Sequence, residues 1–176
     1  PMSERLPNFS GEVICSPDPE SDLTPPELGL RVGLPVWWPS QFEATDDQVD
    51  VNARYFCPGE DFWVADLKVQ DMDCMHLSEW QAAYGINLEP RIIADQPCMI
   101  SGHRGSGRYV LSYAHLETPE FPAANAWLAH LLDTLAGTHC PQSEIPQWNL
   151  RVDQVPAAPP VLVSAFEHSG ILIDQG

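Results

Sequence analysis

The chain is short of positive charge. Lys68 is its single lysine, and 8 Lys plus Arg stand against 25 Asp plus Glu, for a net charge of −17. Such a surface repels nucleic-acid backbones and anionic membranes, so neither is expected as a partner. Long apolar runs are also missing, and none approaches the ~20 residues of a membrane helix. Pro1-Met2-Ser3 opens without a basic-then-apolar signal pattern. A cytoplasmic location is therefore expected. Cysteines with paired spacing are absent too. Cys15, Cys57, Cys74, Cys98 and Cys140 are widely spread with no CxxC, which argues against a disulfide framework or a zinc ribbon. Cys74-Met75-His76 is the one close Cys/His pair, too little to make a metal site. The glycines of "HRGSGR" are not followed by Lys-Ser/Thr, so they read as a turn and not a phosphate loop. No metal and no cofactor is expected.

What is present suffices for a folded domain. The 176 residues are 44% hydrophobic, enough for one domain with a real core. Residues 1–30 read as irregular, with "GEVIC" (11–15) as a short strand and "SPDPESDLTPPELG" as an exposed loop rich in proline and acid. "LPVWWPSQF" sets Trp37 and Trp38 between prolines. Neighbours on a strand face opposite sides, so both indoles cannot enter one core, and one is expected under a loop or along a cleft. "DQVDVNARYF" alternates as a half-buried strand, "CPGED" reads as a turn, and "FWVADLKV" as the next strand. "LSEWQAAYG" is a short helix with Ser78 as cap and Gly85 as stop.

"PCMISG" and "RYVLSYA" are strands joined by a reversal with glycines at 102, 105 and 107. The clearest helix follows. Thr118 can cap it, with Pro119 or Pro122 in its first turn. Phe121, Ala124, Trp127 or Leu128, Leu131 and Leu135 recur at helical steps, and Gly137 ends it. From 138 to 176 the character changes. "VPAAPP" reads as a linker, "VLVSAF" as a terminal strand and "ILI" as an apolar tail. Strands alternating with helices predict an α/β fold over residues 31–137, with a mixed, mostly parallel sheet flanked by helices. In such sheets polar sites gather at the C-terminal ends of strands, and His115-x-Glu117 falls at such an end. Arg104 and Arg108 read as salt-bridge partners more than as an anion site, and His130 and His139 as a helix flank and a loop.

The run "GSGRYVLSYAHLETPEFPAANAWLAHLL" resembles the end of a class I glutamine amidotransferase-like domain. More narrowly, it is similar to the biotin-protein-ligase N-terminal-like members of that superfamily. The likeness falls on Gly105, Gly107, Arg108, His115 and Glu117, and "VNARYFCPGEDFWVADL" resembles the preceding segment. It spans about residues 26–136. The resemblance implies a flavodoxin-like fold, incomplete at its N-terminus, and a Cys-His-Glu triad in which a thiolate attacks the glutamine amide. His115 would be the base and Glu117 its orienter. The family's nucleophile sits in a Gly-x-Cys-x-Gly elbow, and no cysteine here has that setting. Cys15 follows a strand-like run 100 residues before His115 and is the candidate nucleophile, although Val13 and Pro17 stand where glycines are wanted. The expected protein thus keeps the His-x-Glu half of a triad and is catalytically incomplete as this chain. Hydrolase activity of the glutaminase or amidotransferase type would need a cysteine from missing sequence or another chain. Two other readings stand beside it. One is a non-catalytic binding or regulatory module. The other is an acidic interaction or inhibitor protein, immunity-protein-like, that binds a basic partner.

Overall fold

Strand β1, Phe9–Pro17, buries Phe9, Val13, Cys15 and Pro17 and leaves the residues between them half-buried. That two-residue alternation is what a strand on the wall of a core dictates. The computed structural model describes residues 9–43, 48–65, 67–71, 77–85 and 88–136. Expected only as "GEVIC", β1 is nine residues long and lies between two partners. It pairs with β2, Val32–Trp37, on one side and with β3, Val49–Val64, on the other. Gly11 makes the close approach to β3 possible. Its φ is +99°, and a Cβ there would run into the Asp61 carbonyl.

The proline- and glycine-rich "CPGED" is not a turn. β3 runs through it for 16 residues. Between Gly11↔Phe62 and Val13↔Pro58, β1 advances two residues while β3 advances four, so Gly59, Glu60 and Asp61 bulge out. Phe56 is a second extra residue, between Ile14↔Cys57 and Cys15↔Tyr55. A bulge tolerates proline because a ladder hydrogen bond is already missing there. Short β4, Leu67–Lys68, folds back on β3. Then come helix α1, Leu77–Tyr84, and strands β5, Pro97–Arg104, and β6, Gly107–Ser112. Gly85, with φ +63°, ends α1 as expected. Ser78 lies inside α1 and does not cap it. The β5–β6 hairpin turns on Gly105 and Ser106, with positive φ at Gly105, the geometry a two-residue reversal prefers. Gly102 is not in that turn. It lies in β5 beneath the Tyr109 phenol.

Every strand pairing is antiparallel, in the order β2-β1-β3-β5-β6 with β4 beside β3. The expected mostly parallel, flavodoxin-like α/β sheet is therefore not the fold, and the amidotransferase-like architecture goes with it. A parallel sheet needs a crossover, usually a helix, between neighbouring strands. Among the described residues only α1 lies between strands, and it leads into β5, which is antiparallel to β3. The sheet curls until its two outer strands approach. Val36 of β2 bridges Ala114, just past β6, and the His115 N–H donates to the Pro35 carbonyl at 2.9 Å.

Helix α2, Pro122–Ala136, packs on β2 and buries Ala124, Trp127 and Leu131 in one cluster with Phe9, Val13, Leu34 and Phe62. Of the two prolines considered, Pro122 opens the helix. The acidic loop 18–31 is not wholly outside. Leu23 is buried, and its carbonyl accepts from Trp127 Nε1 at 2.8 Å. Residues 138–176, with the expected linker, strand and tail, lie outside the described residues, as does Gly137.

Candidate functional site at the Trp37–His115 corner

The closing bridge of the sheet builds the site. Val36 and Ala114 face inward, so the residues after them, Trp37 and His115, emerge together at the surface. Their rings lie 5.2 Å apart between centroids, tilted by 34°. His115 Nδ1 meets Glu117 Oε1 at 2.8 Å, and the two side chains are 36% and 53% exposed. Burial pushes the Glu117 carboxyl up. The hydrogen bond with His115, the Glu117 backbone N–H and the His115 charge together outweigh that and hold it below its ordinary 4.5.

The turn carrying this pair is pinned from below. The Thr118 N–H donates to the His115 carbonyl at 3.1 Å, and Leu116 between the pair is buried. Asn125 Nδ2 donates to the Leu116 and Thr118 carbonyls at 2.8 and 2.9 Å. Asn125 was not anticipated as a positioning residue. Its only sequence signal is an amide in the first turn of a helix, where such side chains favour local backbone bonds. Thr118 does not cap the helix, which starts four residues later at Pro122.

Neither tryptophan is in the core. Trp37 is 48% exposed and Trp38 73%. Trp38 has a φ of +49°, in the left-handed region that bulky side chains avoid. Its N–H donates to the Phe9 carbonyl at 2.7 Å, which anchors the strained residue to β1.

Cys15 is elsewhere. It is fully buried, with Cys98 Sγ 3.8 Å from its own Sγ and the Val13 carbonyl as its other partner. The hydrogen bond with Cys98 and burial raise its thiol well above the ordinary value, the reverse of what a nucleophile requires. The structure thus brings His115 and Glu117 together and sets Cys15 in the core. Cys57 is half-buried and free, and Cys74, Cys140, His76 and His139 lie outside the described residues.

Comparison with protein-family models, curated proteins and solved structures finds no match. The remaining charged candidates are structural. Arg108 grips Asp22 with both guanidinium nitrogens, at 2.6 and 2.7 Å, and that pairing holds Asp22 below its ordinary 3.8. His130 Nε2 contacts the Asp22 carbonyl at 2.8 Å on the flank of α2. Together with Trp127 they fasten loop 18–31 over the sheet. Among the described residues no cluster of three His, Cys, Asp or Glu side chains could hold a metal, and no helix is long and apolar enough to cross a membrane.

Proposed function

We propose that this is a non-catalytic, acidic interaction protein that binds a basic protein partner in the cytoplasm and blocks it. The observation that carries the reading is where the charge lies. The surplus is 17 negative charges, and no Asp or Glu among the described residues is buried. The field therefore acts outward. Such a surface accelerates encounter with a positive partner and rejects nucleic acid and anionic lipid.

The amidotransferase-type alternative needs a thiolate beside His115. Cys15 is held protonated in the core, so hydrolysis would require a nucleophile from another chain. The His115–Glu117 pair fits a recognition role equally well, as a fixed carboxylate and imidazole on a surface rich in tryptophan.

The test is recovery of the tagged chain from its own cells at low salt, with the stoichiometric companion identified by mass spectrometry. A basic protein released by moderate salt is expected. A stoichiometric companion that is acidic, or a complex indifferent to salt, would overturn the proposal. So would ammonia release from glutamine by the purified chain.

A further inference from the structure

An exposed tryptophan is ordinary, but an exposed tryptophan held in a disfavoured backbone conformation is not. Trp38 combines 73% exposure with a φ of +49°. Folding gains nothing from that indole by burial, and its backbone is strained. Strain of this kind persists where surrounding structure enforces it, and it gathers at binding sites. Here the enforcement is visible. The Trp38 N–H is tied to Phe9 on β1, and buried Pro39 follows. The same corner carries Trp37 against His115, and His115 against Glu117. Asn125 stiffens the turn that carries the pair.

Two indoles beside a fixed carboxylate, on a strongly negative protein, make a receptor of definite chemistry. Indole faces attract cations, and arginine more often than lysine. A guanidinium is planar, stacks on an aromatic face and can still fork to a carboxylate, whereas an ammonium is a strongly hydrated point charge. Tryptophan is also enriched among the few residues that carry most of the energy of protein interfaces.

We infer that the Trp37–Trp38 corner with Glu117 is the docking point for arginine side chains of the basic protein partner. The inference rests on the functional reading above and adds the place and the preferred residue. Long-range attraction comes from the whole acidic surface, and the corner supplies selection of arginine over lysine.

The experiment uses two probes on the full chain, a deca-arginine and a deca-lysine peptide, with affinities measured by calorimetry at fixed salt. The wild type should bind the arginine peptide about fivefold or more tighter than the lysine peptide. Trp38→Gly removes the ring while glycine accepts the left-handed backbone, so the fold is retained. This variant should lose the preference and bind both peptides alike. Trp37→Ala should reduce the preference. Glu117→Gln should weaken arginine binding several-fold, whereas Glu79→Gln, the same charge change on α1, should alter it less than about twofold. If the wild type binds both peptides equally, or Trp38→Gly keeps the preference, the corner is not the docking point and the charge-based function survives. If neither peptide binds, the charge-based function fails and the inference fails with it.

Discussion

Cys15 and His115 were candidates for one reaction, yet they occupy opposite environments. Cys15 stands mid-way along β1 and is fully buried, with a second thiol as its neighbour and a raised pKa. His115 stands just past β6, about one-third exposed, between an indole and a carboxylate. The first environment suppresses ionic chemistry and rewards packing. The second tolerates charge and faces solvent. A shared ancestry of residue types therefore says little about a shared site. The interior of the curled sheet and its closing corner obey different rules, and substitutions should separate them.

The largest effect belongs to the interior. Trp127 is fully buried, and its Nε1 satisfies the Leu23 carbonyl at 2.8 Å. Trp127→Ala removes the ring and leaves a cavity, and it should destabilise the protein by about 3–5 kcal/mol in urea unfolding. Trp38→Gly should cost nothing and could raise the midpoint, because strain at φ +49° is released. Equal losses in the two variants would erase the distinction between interior and corner.

Cys15 comes next. Cys15→Ser places a more polar group in the core and should cost about 1–3 kcal/mol. In the native wild type, iodoacetamide should label half-buried Cys57 and spare Cys15 and Cys98, read by peptide mass spectrometry. Rapid labelling of Cys15 would mean that its thiol is accessible and ionisable after all.

The Arg108–Asp22 clamp joins the two regions and should contribute less. Asp22 is more than half exposed, so solvent screens the pair. A double-mutant cycle with Arg108→Ala and Asp22→Asn should give a coupling of about 1 kcal/mol or less near neutral pH. The folded-state pKa of Asp22 is depressed below 3.8. The coupling is therefore fully present above that ordinary value and is lost as pH falls through the lowered one. A coupling unchanged at acid pH would place the stabilisation elsewhere.

How much of this was legible in the sequence depends on how local each signal was. The β5–β6 hairpin, the buried stripe of α2 and the His115–Glu117 contact could all be read, because each depends on residues a few positions apart. The fold class could not. In β3, Pro58 and Gly59 imitate a turn, and only pairing with β1 converts them into a bulge. β2 was hidden by its own proline and tryptophan, and its strand character comes from β1 beside it. The contact that decides the fate of Cys15 lies 83 residues away in Cys98. Cys98 is itself an extra residue of β5, between the pairs Ala53↔Met99 and Arg54↔Pro97. No local pattern encodes such a meeting. For Trp38, the doublet before a proline signalled that one indole was out of place, and both proved to be on the surface.

The smallest predicted effect tests the corner most directly. Glu117 feels opposing influences. Burial raises its pKa, while the His115 hydrogen bond, its own backbone N–H and the His115 charge lower it to a net value below 4.5. Any stability it contributes is present above its unfolded value and disappears as pH falls through its folded one. With more than half of its side chain exposed, that contribution is too screened to show clearly in unfolding. The titration itself should show it. In carboxyl-detected NMR, Glu117 should titrate below 4.5 in the wild type. In His115→Ala two of the lowering influences vanish while burial persists, so its midpoint should rise. The same variant removes the ring packed on Trp37, so the indole Nε1–H resonance of Trp37 should shift while that of Trp127 stays in place. A Glu117 midpoint that does not move would mean that the 2.8 Å contact is not maintained in solution. The corner would then be two separate surface side chains and not one recognition unit.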